Sequence, residues 1–373
     1  MAIRDITGNS KVKDILLKII KEEKHGKPYI FYGDENLGKT FAAVQFGKAL
    51  NCLTPKSDAD ACDTCANCKL IDKIFFDLDE DGFQKNPHPD TLYINTLRAE
   101  IRIDTIKDKL IEINTYRAIK LKKKILIVQD AEKMNVGASN SILKELEEPG
   151  EKVVIILVVN DIGKILPTII SRCTKIDFIK ASEAEIEKGL LKFKLEWTEE
   201  RIKEAVKFCD GRIGDAVNFE EKKENIQKAI GLFIALAKTG DNVEAIFGEI
   251  NNLEAIKKEA KEKKPAKTEE TTENGEKIKE NTEKEKSWRM ILLDIMVSLA
   301  YIYKDMLLEN SGKTPILALK YGIKTASLKT HTARNIVNIM KLIENAQREL
   351  MANANTNLLF SNLFFAIRKE VKK

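Results

Sequence analysis

Two groups of residues in this chain have types and spacings that could do chemistry. The first is Gly33-Asp34-Glu35-Asn36-Leu37-Gly38-Lys39-Thr40, which reads G-x-x-x-x-G-K-[ST]. Glycines let such a loop curl so that successive backbone N–H groups face phosphate oxygens, a lysine reaches the terminal phosphates, and the hydroxyl after it can ligate magnesium. On this pattern Gly33, Gly38, Lys39 and Thr40 are candidate nucleotide-binding residues, with Thr40 also a magnesium ligand. Acidic Asp34 and Glu35 in the variable positions would have to turn to solvent to tolerate a polyanion. A second magnesium contact is expected from an acid at the end of another buried strand, and Ile125-Leu126-Ile127-Val128-Gln129-Asp130 supplies Asp130. The glutamate that would follow such an aspartate to polarise an attacking water is replaced by Ala131. Glu132 lies one residue further on, where strand alternation would turn it to the opposite face as a surface carboxylate. Nucleotide binding is therefore better supported than rapid hydrolysis.

The second group is Cys52 followed by Cys62-Asp63-Thr64-Cys65-Ala66-Asn67-Cys68. Tetrahedral zinc takes four thiolates, and C-x2-C turns present two sulfurs to one ion. With all four positions used and none left for water, zinc held by Cys52, Cys62, Cys65 and Cys68 would be structural. The alternative is a set of reduced thiols without metal. Cys173 and Cys209 stand apart and read as small buried apolar residues.

Positioning these residues requires strands and helices in alternation. Residues 15–20 show helical periodicity, Tyr29–Tyr32 is a short buried-strand pattern, and residues 40–51 form a helix after the glycine loop. Strands are expected at Thr91–Ile94, Lys124–Val128 and Val153–Val159, with helices near Thr105–Asn114 and Ala138–Glu147. That order predicts a parallel sheet covered on both faces. Beyond Phe178 the strand signal fades. Residues 179–220 read as a small helical domain with the turn Asp210-Gly211-Arg212-Ile213-Gly214, and residues 221–373 as a further helical domain. Within it, residues 257–286 hold ten lysines and nine glutamates, with Ile278 the only large apolar side chain. Unless it forms one solvated helix, such a segment cannot offset its ordering entropy and is read as a disordered insertion.

At 373 residues the chain exceeds one core, and two or three domains follow from about 150 residues per domain. Hydrophobic residues at 43% and charged residues at 32% describe a chain able to fill its cores. No apolar run is long enough for a membrane span, and the opening residues lack a signal-peptide pattern, so the expected compartment is the cytoplasm. Four cysteines clustered within residues 52–68 suit metal binding in a reducing compartment better than a secreted disulfide framework. A net charge of +5 is too mild to identify a nucleic-acid partner. Lys120–Lys124 is read as a solvated loop before a strand.

Taken together these residues resemble the clamp-loader AAA+ subunits of bacterial DNA polymerase III, in particular the delta-prime type, with gamma/tau a close relative. The resemblance rests on Gly8-Asn9, the phosphate loop, the four-cysteine module after its helix, His88-Pro89-Asp90 before a strand and Ile103-Asp104 opening a helix. Asn140-Ser141-Ile142-Leu143-Lys144-Glu145-Leu146-Glu147-Glu148-Pro149 and Ser171-Arg172-Cys173 extend it. Tyr303 to Leu308 and Asn353 to Leu358 look like the family's collar, where five subunits pack helices into a ring.

The resemblance implies an α/β AAA+ P-loop domain at residues 1–178, a helical lid at 179–220 and an all-α collar at 221–373. It implies that Gly8 and Asn9 lie near the adenine, that Asn160 is the sensor residue beside the terminal phosphate, and that Arg172 is an arginine finger reaching a neighbouring subunit's ATP site. A structural role for Arg172, pairing with a local acid, is the alternative. Partners would be the gamma/tau and delta subunits in a hetero-pentamer, the sliding clamp, and primer-template DNA through the complex. Ala131, and Gly214 where the motor-type pattern has an arginine, favour a delta-prime stator over a gamma/tau-like ATPase motor. An AAA+ nucleic-acid remodeller outside clamp loading is the third reading.

Overall fold

A computed structural model of the chain describes residues 1–23, 26–56, 59–76, 88–95, 100–104, 106–107, 110, 118–150, 152–194, 196–238, 248, 276–312, 332–352 and 354–371. Backbone contacts divide it into two compact units, Met1–Phe219 and Glu220–Lys373.

The first unit is built on five parallel strands: β1 (Tyr29–Tyr32), β2 (Thr91–Ile94), β3 (Lys124–Val128), β4 (Val153–Val159) and β5 (Thr174–Asp177), in the order β2-β3-β4-β1-β5. The four strands read from apolar runs occupy the expected residues, because each is buried on both faces and so carries an unbroken hydrophobic signal. β5 was not expected. Thr-Lys-Ile-Asp buries only Ile176, as an edge strand can, and its alternation is too short to read.

Successive strand residues feed two separate cores. Tyr29, Phe31, Ile125, Ile127, Ile156 and Val158 pack with α1 (Ser10–Lys21), α2 (Lys39–Asn51) and α3 (Ala66–Phe76) on one face. Ile30, Leu126, Val128, Ile155 and Leu157 pack with α4 (Val136–Glu147) and the short α5 (Pro167–Ile170) on the other. This is the two-faced parallel sheet expected from the sequence. The helix expected near Thr105–Asn114 falls mostly outside the described residues.

Three helices follow: α6 (Glu183–Phe193), α7 (Glu199–Cys209) and α8 (Ile213–Val217). Ser182 and Thr198 cap the first two, each accepting a backbone N–H with its hydroxyl. Ile186, Leu190, Ile202, Ala205, Cys209 and Phe219 form their own apolar cluster.

The second unit contains α9 (Phe219–Lys238, all but its first residue), α10 (Glu276–Asn310), α11 (Ala333–Met351) and α12 (Thr356–Val371). Its core includes Phe233, Leu299, Tyr303, Ile336, Ile343 and Phe364, with Phe233 and Tyr303 packed edge-on at 5.2 Å. Helix α10 begins inside the charged stretch 257–286, at Glu276. Residues 257–275 lie outside the described residues. Among the described residues, no helix is long and apolar enough to cross a membrane.

Candidate functional site

Gly33 follows β1 directly and holds φ at +139°; a Cβ there would lie 2.2 Å from the Phe178 carbonyl oxygen, so only glycine fits. Gly38, at φ +87°, turns the chain into α2, whose first residue is Lys39. The Lys39 Nζ is folded inward and donates to the carbonyls of Gly33 (2.7 Å) and Asp34 (2.5 Å). Burial draws the Lys39 pKa below the ordinary lysine value, opposed by the carboxylates of Glu132, Glu35, Asp130 and Asp34. The loop thus presents a buried cation beside a cavity of about 400 Å³ lined by Asn36, Gly38, Lys39, Thr40, Gln129, Asp130, Asn160 and Gly214, among others.

The end of β3 supplies the opposite wall. Asp130 accepts from Gln129 Nε2 (2.9 Å) and Asn160 Nδ2 (3.1 Å) with Oδ1, and pairs with Lys133 Nζ (2.8 Å) through Oδ2. The Thr40 hydroxyl donates to Gln129 Oε1 at 2.5 Å. Asp130, Asn160 and Thr40 are therefore brought to one cavity, where Asp130 is bound to Gln129, Asn160 and Lys133, and Thr40 to Gln129. Of the two groups nominated for magnesium, Asp130 is engaged on both oxygens, while Thr40 has given only its hydrogen.

Glu132 is not the surface carboxylate that alternation suggested. The strand ends at Val128 and residues 131–133 form a 3-10 turn, which carries Glu132 back toward the site. One of its oxygens accepts the Asn160 backbone N–H at 3.1 Å; the other is buried without a hydrogen-bond partner. Burial, reinforced by the charge of Asp130, raises its pKa.

The first turn of α8 closes on the phosphate loop. Gly214 N–H donates to the Asn36 carbonyl (2.8 Å), Asn36 Nδ2 donates to Asp215 Oδ1 (2.7 Å), and Arg212 Nε pairs with Asp215 Oδ2 (2.5 Å). A Cβ at Gly214 would come within 3.0 Å of the Asn36 side chain and 3.1 Å of its carbonyl, so no larger side chain fits there without movement. Gly8 and Asn9 do not line this cavity. Asn9 clasps the Ile179 backbone, donating to its carbonyl (3.0 Å) and accepting its N–H (2.9 Å), while Gly8, at φ +63°, packs against Ala181.

The four cysteines form a second centre. Cys52 caps the end of α2, Cys68 lies in the first turn of α3, and the loop between them carries Cys62 and Cys65. Their sulfurs all lie within 4.8 Å of one another, with Cys52–Cys65 at 4.0 Å and Cys62–Cys68 at 3.9 Å. A tetrahedron with metal–sulfur bonds of about 2.3 Å has edges of about 3.8 Å, so the cage has the right size for zinc. Backbone N–H groups of Cys62 and Cys65 each donate to a cluster sulfur at 3.3 Å. Hydrogen bonds from the Thr54 and Thr64 hydroxyls, with backbone donors, bring the Cys62 thiol down to about 5, while burial pushes the Cys68 thiol up. A cation in the cage would offset that cost. Asp63, between two of the cysteines, reaches the fully buried Lys48 of α2 at 2.7 Å, and Lys48 also pairs with Asp72 of α3 at 2.7 Å. The cysteine module is thereby bolted to the helix that starts at Lys39.

Arg172 lies elsewhere, between α5 and the edge strand β5. Its Nε donates to Glu147 Oε1 (2.8 Å) and its Nη1 to the Thr168 carbonyl (2.8 Å), and it does not line its own chain's phosphate cavity. Sequence reasoning missed Gln129, Lys133, Asn36 and Asp215. The turn after β3 and the contact of α8 with the phosphate loop bring them in.

A family model described as DNA polymerase III, delta subunit, matches residues 8–182. The chain is 24% identical to the DNA polymerase III subunit delta' of Bacillus subtilis over 96% of both chains. This chain is a relative of the DNA polymerase III clamp-loader subunits. The Pseudomonas aeruginosa subunit delta' is 32% identical over 41% of this chain and 43% of its own. The Bacillus subtilis subunit tau is 27% identical over 58% of this chain and 39% of its own. The chain therefore spans less than half of those two clamp-loader relatives. The motif resemblance is borne out, and the parallel sheet covered by helices on both faces is as expected.

Proposed function

We propose that the chain is a delta-prime-like stator of a bacterial clamp loader, positioning gamma/tau and delta subunits in a hetero-pentamer that loads the sliding clamp onto primed DNA. The observation that carries the reading is the lid contact: Gly214 packs so closely on Asn36 that an arginine there would have to push Asn36 aside, and Ala131 leaves no carboxylate directly after Asp130. A site without either group can hold a nucleotide but lacks the charges that drive hydrolysis. Gly33, Gly38, Lys39 and Thr40 would cradle the phosphates, and Asn160 would stand beside the terminal one. Cys52, Cys62, Cys65 and Cys68 would hold one structural zinc, whose chemistry is to crosslink the module to α2 and α3.

Arg172 would serve a neighbouring subunit. It is placed before an edge strand, away from its own chain's cavity, and its guanidinium would stabilise charge on a phosphoryl group transferred next door. The alternative, a gamma/tau-like ATPase motor, is favoured by one observation: the carboxylate of Glu132 lies by Asn160, inside the site. ATP turnover by the purified chain, alone and then with gamma/tau, delta, clamp and primed DNA, separates the two. The stator reading expects no turnover by the chain alone. A rate of ~1 per second or faster would establish the motor.

A further inference from the structure

The carboxylate that would greet a divalent ion in the phosphate cavity already has partners from the chain itself on both oxygens. Asp130 is held on one oxygen by Gln129 and Asn160 and on the other by the Lys133 ammonium at 2.8 Å, and the Thr40 hydroxyl gives its hydrogen to Gln129. The 3-10 turn at Ala131–Lys133 fixes that arrangement: it places Lys133 three residues after Asp130, with the Lys133 backbone N–H donating to the Asp130 carbonyl at 2.8 Å. Glu132 in the same turn fastens the Asn160 backbone, so both ends of the wall are locked by one short element.

The electrostatic consequence is specific. A bare carboxylate facing a triphosphate would repel it unless a divalent cation stood between them. Here an internal ammonium neutralises the carboxylate instead, and Lys39 supplies the positive charge on the loop side. From this geometry we infer that Lys133 is the internal cation of the site, so that the chain takes its nucleotide without needing a divalent metal. The inference rests on the nucleotide-binding reading above and adds the form of the ligand: a nucleoside triphosphate whose affinity is insensitive to magnesium. Magnesium would have to displace the Asp130–Lys133 pair before it could gain that carboxylate as a ligand.

The test is calorimetric titration of the full chain with ATP, in excess magnesium and in excess EDTA, for the natural sequence, Lys133→Met, Lys133→Gln and Lys39→Ala. The natural chain is expected to bind with dissociation constants within about threefold of each other in the two buffers, a change worth under 1 kcal/mol. In Lys133→Met and Lys133→Gln, which free Asp130 while keeping the side-chain length roughly constant, magnesium should tighten ATP binding by about tenfold or more. Two replacements guard against one variant misfolding, and each is checked by its thermal transition. Strong magnesium dependence in the natural chain, or none gained in either folded Lys133 variant, overturns the inference while nucleotide binding stands. If the natural chain gives no more heat than Lys39→Ala in both buffers, the nucleotide reading itself falls and takes this inference with it.

Discussion

Replacing Asp90 by asparagine probes how the sheet is tied to the cysteine module. The Asp90 side chain is fully buried just before β2 and accepts the backbone N–H groups of Ile119 (2.8 Å to Oδ1), Lys120 (2.7 Å) and Leu121 (2.9 Å). The loop so organised continues to Lys122, whose Nζ donates to the Cys52 carbonyl, and to Lys123, whose N–H donates to Asn51 Oδ1. Burial alone would raise the Asp90 carboxyl; the three backbone donors outweigh it and hold the pKa below the ordinary value. In Asp90→Asn one corner becomes an NH2 group facing a backbone N–H, which costs about 1–3 kcal/mol for the orphaned donor, and the remaining contacts lose their charge assistance. A loss of about 2–4 kcal/mol is expected in the first unit. Because the folded pKa is depressed, this contribution is complete above the unfolded value near pH ~4 and disappears as pH falls through the folded pKa. Urea unfolding followed by circular dichroism, with hydrogen exchange at residues 118–128, measures it. The variant should match the natural chain more closely as pH drops toward 3. A variant within about 0.5 kcal/mol of the natural chain at pH 7, with no added exchange in that loop, refutes the argument.

Two further outcomes follow from the two centres. Purified chain should carry about one zinc, and Cys65→Ala should lose it and expose the remaining cluster thiols to alkylation; metal analysis showing none, with all four thiols freely reactive, would leave only reduced cysteines. Lys39→Ala should abolish nucleotide binding, read by equilibrium dialysis with labelled ATP, while lowering clamp loading by the assembled complex less than the same change in a motor subunit; undiminished binding would remove Lys39 from the site.

Much of this organisation was legible because the central strands are buried on both faces, so β1 to β4 advertise themselves as unbroken apolar runs bounded by turn residues. The glycine loop and the cysteine spacing were legible for a different reason: each needs particular residue types at fixed intervals. β5 escaped notice because an edge strand with a lysine and an aspartate turned outward has no such run. Glu132 was misplaced because the alternation rule was extended past the point where the strand ends and the backbone turns. Asn36 and Asp215, 179 residues apart, meet only through the fold, and no local pattern in either segment announces their hydrogen bond. The clasp of Asn9 on the Ile179 backbone, 170 residues away, is another contact that no local pattern announces.

The scaffold account is tested most directly at Arg172. In the isolated chain its guanidinium pairs with Glu147 and the Thr168 carbonyl, contacts exposed enough to be exchanged for a stronger partner in an assembly. Arg172→Ala should leave the chain folded, zinc-loaded and able to assemble. DNA-stimulated ATP hydrolysis by the reconstituted complex should then fall by as much as about 10³ at the neighbouring site, the weight of such a group in phosphoryl transfer. A complex assembled with this variant that keeps full ATPase and clamp-loading activity would contradict the account and leave Arg172 as a surface ion-pair partner of Glu147.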